Sequence, residues 1–412
     1  MKNLSFIFLL LNWASYPANA TETLTVSQAV QVALKQNPDL LAKRQEVEVA
    51  KGRKVKADLF NQFNPNVSGQ VWNRKNPGSG NVTDSQVSVS QEVEIAGQPG
   101  LRREEATRNV DRVEAQIRNH ERIITKQVKL AFFQALTLKE RLKLRREIEK
   151  LNLRIRDASN ERFKAGVAPV MESNLARIRY GQSRKETFVA EAAFKNTLLK
   201  VRRLLGWELD RSFELVGQLR NSYGSLPLQD LLQIARSKRP DLMAAKREVE
   251  RAKAAMNLTR RLIVPNPTFQ VFYGTETEGP QGESKMLGGG VSIPIPLFDR
   301  KQGELVTQGA ELNRGHHQVV VMSRNIEQEV KKAFQEYEAA RQSVEVFEAE
   351  VLDRVDENFR FIEISYREGK IGLLQLIVVQ DDLITAQLSY VESLGQFRSA
   401  EVNLEQAVGG KI

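Results

Sequence analysis

The stretch LTVSQAVQVALKQNPDLLAKRQEVEVAKGRKVKADLFNQFNP, residues 24–65, returns 202 positions later as LPLQDLLQIARSKRPDLMAAKREVERAKAAMNLTRRLIVPNP, residues 226–267, without a gap. Of these 42 positions 14 are identical. They include Pro38-Asp39-Leu40 against Pro240-Asp241-Leu242, Glu46-Val47-Glu48 against Glu248-Val249-Glu250, and Asn64-Pro65 against Asn266-Pro267. Downstream, Phe163-x-x-Gly166 corresponds to Tyr366-x-x-Gly369 and Leu205-Gly206 to Val408-Gly409, at a shift of 203. Solenoid repeats run only about 20–50 residues. The chain is therefore one large unit duplicated, and two equivalent halves are expected, 21–217 and 218–412.

Composition narrows the class. Met1 to Ala20 has the form of a secretory signal: Lys2 supplies charge, Phe6–Leu11 an apolar core, and Ala18-Asn19-Ala20 a small-x-small cleavage site. The apolar run is too short to cross about 30 Å of hydrocarbon, which takes about 20 residues. The 412 residues contain no cysteine, so neither a disulfide nor a lipid-modified cysteine is available. After the signal no stretch approaches a membrane-spanning apolar helix. The net charge of +10 raises nucleic acid as a partner. Export argues against it, and the basic residues alternate with acids, as in Lys139-Glu140-Arg141, in the manner of a solvated helix face.

Between Gly100 and Gly166 there is neither glycine nor proline, enough for a helix of about 95 Å. Apolar residues recur every seven positions at Val110, Ile117, Ile124, Ala131 and Leu138, with a second seam through Val128, Ala135 and Leu142. Such spacing favours left-handed supercoiling on neighbouring helices. In the second half Gly303, Gly309 and Gly315 are expected to loosen the start, and a long helix should run from His316-His317 to Gly369. Sharp breaks are expected at Ala165–Pro169 and Glu368–Gly372, each followed by another helix. Gly166 and Gly369 supply φ > 0 for tight turns. Pro38 and Pro240 mark the turn between a short first helix and the next. These four residues set shape.

Two segments in each half alternate with period two: about 66–73 and 85–95, then about 268–275 and 286–295, separated by the turn-rich 76–81 and 279–283. Their length matches a tilted strand crossing a bilayer. A bilayer accepts β-structure only as a closed sheet, and barrels need about 8 strands. Four strands in one chain therefore call for several chains sharing one barrel. The competing reading is a soluble four-stranded sheet on a helical bundle.

The order of these pieces resembles the TolC-type outer-membrane efflux family over essentially the whole mature chain. Residues 24–40 and 226–242 resemble its opening helices. Val89–Gly97 and Val291–Arg300 resemble its strand-to-helix passages, and Tyr366–Lys370 with Gln380–Leu388 and then Ala400–Gly409 its last helix. The resemblance implies a mainly α protomer with membrane β-structure. It implies a homotrimer with a twelve-stranded barrel in outer-membrane lipid and an α-helical tunnel through the periplasm. The implied partners are a periplasmic adaptor (membrane fusion) protein and a proton-driven inner-membrane efflux pump. The Val-Glu-Ile-Ala-Gly and Pro-Ile-Pro-Leu-Phe-Asp-Arg passages and the short length are more similar to the branch serving cation-efflux pumps. Drugs, organic solutes or secreted polypeptides are the alternative cargo, and a soluble coiled-coil adaptor the alternative class.

Enzyme chemistry has no foothold: no cysteine nucleophile, no His-Glu-x-x-His helix and no phosphate-cradling loop is present. His120, His316 and His317 are the only histidines. The adjacent pair diverges by about 100° on a helix and lacks a third ligand. No cofactor is expected. In the family, acidic residues six positions past the turn glycine often ring the periplasmic aperture. Those positions here are Glu172 and Gln375, so only the first half keeps the acid. Asp381 and Asp382 lie further along the same helix.

Overall fold

The computed structural model describes residues 22–76, 80–220, 227–277 and 282–410. The signal-like segment and the tips of both strand-connecting loops lie outside the described residues. Each half follows the same course. In the first, β1 (Glu22–Leu24) leads into α1 (Val26–Gln36), α2 (Pro38–Ala57), β2 (Asn66–Asn76) and β3 (Gly80–Glu92). Two long helices follow, α3 (Gln98–Lys164) and α4 (Val170–Leu205), and then β4 (Phe213–Leu215). The second half has α5 (Leu228–Lys238), α6 (Pro240–Arg261), β5 (Thr268–Thr277), β6 (Glu283–Ser292), α7 (Gln302–Val346), α8 (Leu352–Arg367) and α9 (Leu373–Val408).

Local chemistry sets the element ends. Thr25 and Gln28 form a reciprocal capping box that starts α1. Asn37 ends α1 and begins α2: its Oδ1 accepts the Leu40 N–H at 2.9 Å, and Pro38 occupies the first helical turn, where its missing N–H costs nothing. Arg239 stands in the second copy and has no acceptor to offer, so Asp241 Oδ1 takes the Leu242 N–H instead, at 2.9 Å. Gly166 and Gly369 have φ of 73° and 72°. Each closes its helix with a six-residue return bond, Val167 N to Arg162 O and Lys370 N to Ser365 O, both 2.9 Å.

At 67 residues, α3 is about 100 Å long. Of the expected heptad positions, Ile117, Ile124, Val128, Ala131, Ala135 and Leu142 are buried, while Val110 and Leu138 at the ends of the seam are half-buried. The main core lies around the middle of α3, where α1, α4, α5, α7 and α9 converge on Phe132, Val128, Leu205, Val330 and Phe397. A smaller core of Ile155, Ala176, Tyr366, Leu373 and Leu376 sits near the two turns.

The structure departs from the sequence reading in four places. The strands run 66–76, 80–92, 268–277 and 283–292, because the hairpin ladders extend toward the loops and the other ends stop short of the helices. After β6, Pro294 and Pro296 have no N–H to give a ladder. The three glycines do not loosen α7: the helix begins at Gln302, and Gly315 allows close packing on α6, where a Cβ would lie 3.2 Å from Val249 Cγ2. The expected uninterrupted helix to Gly369 carries a π-helical turn at Phe347–Val351. Lastly, the three-residue β4, a strand that the sequence reading did not contain, pairs in parallel with β1, Leu24 opposite Leu215.

Candidate functional site

Three regions can act on a solute, a membrane or a partner: the four-stranded sheet, the paired turns, and a charged cluster beside the main core. The sheet has the order β2-β3-β5-β6 and is antiparallel throughout. Its register aligns Val67, Val89 and Val271 with Gly289, and Gly69, Val87 and Tyr273 with Leu287. Residues paired across strands share a face. All odd-numbered positions therefore face one way, and there Val67, Val71, Val87, Val271, Leu287 and Val291 are each more than half exposed. The even-numbered face carries Ser68, Gln70, Gln86, Ser88, Ser90 and Gln270. It also holds Arg74 between Asp84, at 3.3 Å, and Glu276, at 2.6 Å. One face is thus apolar and bare across its middle, while the other is mostly polar and internally bonded, with Trp72, Phe272 and Met286 also on it. Within the chain, β2 and β6 each have an unpaired edge among the described residues.

At the turns, Glu172 opens α4 and is half-buried, with its carboxylate bonded within the protomer. The Tyr366 hydroxyl donates to its Oε1 at 2.8 Å and lies 2.7 Å from Ser159 Oγ. Arg162 Nε is 3.9 Å from the same carboxylate, and its guanidinium stacks over the Tyr366 ring at 5.2 Å. Burial pushes the Tyr366 hydroxyl above its ordinary pKa, the Ser159 bond opposes this, and the Glu172 carboxylate adds to it. Gln375 is exposed, and Asp381 pairs with Arg179 at 2.6 Å, tying α9 to α4. Tyr366 was visible in the sequence as the counterpart of Phe163. The role of its hydroxyl was missed, because Ser159 and Glu172 reach it from elements far away in sequence.

Also missed was the cluster of Arg122, Arg239, Asp241 and Glu329. Arg239, with a side chain 2% exposed, pairs with Asp241 and, at 2.6 Å, with Glu329. Its Nη1 donates to the Ala407 carbonyl at 3.0 Å, as Asn37 Nδ2 donates to the Leu204 carbonyl at 2.8 Å in the first half. Arg122 Nη2 is 3.2 Å from Asp241 Oδ2, and Nη1 donates to Gln406 O at 2.6 Å. Burial opposes ionisation of Asp241, but its bond to Arg239 and both guanidinium charges win and hold its pKa below the ordinary value. The replacement of Asn37 by Arg239 in the repeat was the available signal.

Among the described residues, no three His, Asp or Glu side chains converge where a metal ion could sit, and no helix is long and apolar enough to cross a membrane. The sequence pattern of the family described as Outer membrane efflux protein matches residues 29–207 and again residues 231–410. The chain belongs to that family. It is an efflux channel of the outer membrane and not an enzyme. It is 24% identical over 394 residues to the cobalt-zinc-cadmium resistance protein CzcC of Cupriavidus metallidurans, covering 96% of this chain and 92% of that one. The fold is similar to that of a membrane protein from Pseudomonas aeruginosa, with a TM-score of 0.78, 17% identity, and 93% of each chain covered. It is also similar to CusC, solved in connection with folding and transmembrane channel formation, with a TM-score of 0.76 and 17% identity over 93% of this chain and 92% of that one.

Proposed function

We propose that the chain is the passive outer-membrane conduit of a tripartite efflux system that exports small solutes, divalent metal cations first among them. A cleaved signal over residues 1–20 would direct it outward, and the repeats 21–217 and 218–412 would each contribute one hairpin. The observation that carries this reading is the sheet: one face apolar and exposed, the other mostly polar, with two open edges. Such a sheet is stable in hydrocarbon only when further copies close it. Three copies give twelve strands, with the long helices continuing as a tunnel towards an adaptor and a proton-driven pump. The likeness to CzcC supports cations as cargo. A conduit needs no tight cation site, because it must release what it carries.

Glu172 is proposed to face the periplasmic aperture. Three copies would set three carboxylates near the axis and raise the local cation concentration. The Arg162 charge beside each one limits that field. Deleting the gene should sensitise cells to divalent cations, with wild type restoring resistance and Glu172→Gln restoring only part. Glutamine still accepts the Tyr366 bond, so the variant removes charge and little else. Full restoration by Glu172→Gln would remove the ring and leave the channel. Sensitivity confined to organic solutes would assign the channel to drug export.

A further inference from the structure

We infer that the groove between α2, α3 and α6, rimmed by Arg53 and Lys56, binds the phosphate of an anionic phospholipid in the periplasmic leaflet of the membrane, one lipid to each chain. This rests on the reading that the four-stranded sheet stands in the membrane, and it adds a ligand to the helices directly below it.

The groove encloses about 570 Å³ and is lined by Arg53, Lys56 and Gln62, from the end of α2 and the loop after it, and by side chains of α3 and α6. Its floor is electrically balanced. The buried Arg102 pairs with Glu94 and donates to the carbonyls of Ala57 at 3.4 Å and Leu59 at 3.2 Å. Arg112 Nε lies 3.2 Å from Glu248, which also takes Arg251 at 2.8 Å, and Arg251 lies 3.5 Å from Glu105. The rim is not balanced. Arg53 and Lys56 are exposed, and neither side chain forms an ion pair or a hydrogen bond with any described residue. Three positions apart near the end of α2, they share one face of the helix. Arg102 takes two carbonyls at that helix end, which leaves both rim cations to the groove.

The duplication shows that the fold does not need these two charges. The gapless repeat sets Ala255 against Arg53 and Leu258 against Lys56, in the corresponding part of α6. The helix forms with either pair, so the cations are particular to the first copy. What lies above them gives the ligand its class. Immediately beyond α2, Leu59 is 48% exposed and Phe60 89%, and β2 begins at Asn66 with its bare valines on the odd-numbered face. Unpaired cations below an apolar collar match the two ends of a lipid: phosphate in the groove, acyl chains against the collar and the sheet. Free phosphate would use the cations alone and leave the collar bare. A zwitterionic headgroup brings its own cation and loses most of the attraction.

The test takes the full exported chain, extracted in detergent and exchanged into micelles containing phosphatidylglycerol, and counts retained lipid by native mass spectrometry. Wild type should keep up to one phosphatidylglycerol per chain and little phosphatidylcholine, and an excess of inorganic phosphate should not displace the lipid. Arg53→Ala with Lys56→Leu, the residues of the second copy, should weaken retention about 25-fold, each basic residue at an anionic surface being worth about a factor of five. Arg53→Gln with Lys56→Gln keeps side-chain length, removes the charge and should lose the lipid likewise. Equal retention by wild type and both variants, in protein that is trimeric, would overturn the site and leave the channel standing. Displacement by inorganic phosphate would overturn the lipid and reduce the groove to a phosphate site. Protein that is monomeric and soluble without detergent would remove the membrane reading and the lipid with it.

Discussion

At the scale of single residues, Asp241 carries the clearest consequence. It lies between two guanidinium groups, and Arg239 beside it is nearly inaccessible. Removing one member of a buried ion pair leaves charge without compensation and costs about 3–5 kcal/mol. Asp241→Asn should therefore lower stability by about 3 kcal/mol at neutral pH, read from chemical unfolding. Its pKa is held below the ordinary aspartate value. The stabilisation is accordingly complete above that ordinary value and is lost as the pH falls through the lowered one. The gap between wild type and Asp241→Asn should narrow below about pH 4. A gap that stays constant into acid would show that the carboxylate charge is not what holds the cluster.

At the scale of elements, the glycines after the long helices differ in what they permit. Gly166 and Gly206 both have left-handed backbones, at φ of 73° and 70°. Nothing lies within 4 Å of where a Cβ would stand on Gly166, whereas a Cβ on Gly206 would run into the backbone carbonyl of Gln36. Gly166→Ala should cost about 1 kcal/mol from conformation alone. Gly206→Ala should cost about 3 kcal/mol, because overpacking against the α1–α2 junction is added. Equal melting temperatures for the two would contradict that contact. The elements themselves were legible because their signals are local: the run without glycine or proline, the period-two segments, and the turn glycines. The π turn was not. It is held by Phe347 against the Tyr390 ring and by Glu348, which accepts from the Tyr390 hydroxyl and pairs with Arg220. Neither partner is near it in sequence. The three residues of β4 are legible only once β1 is known to lie beside them.

At the scale of the whole molecule, the duplication that opened the reading is also what organises the structure. It repeats the hairpin register, the strand-to-helix passage and the capped helix turns. It also shows where the halves differ. Glu172 has no acidic counterpart at Gln375, and the Asn37 cap becomes the Arg239 cluster. Of the site, Glu172, Gly166 and Gly369 could be located from sequence by position alone. The bonds from Tyr366, Ser159 and Arg162 could not, because they join α3, α4 and α8 across the fold. The central claim is that the bare apolar face and the two open edges belong to one barrel shared among copies. Single-channel conductance of the detergent-extracted protein, with its mass taken in the same preparation, tests this most directly. The account predicts a trimer that opens long-lived, cation-preferring pores. A soluble monomer without conductance would contradict it.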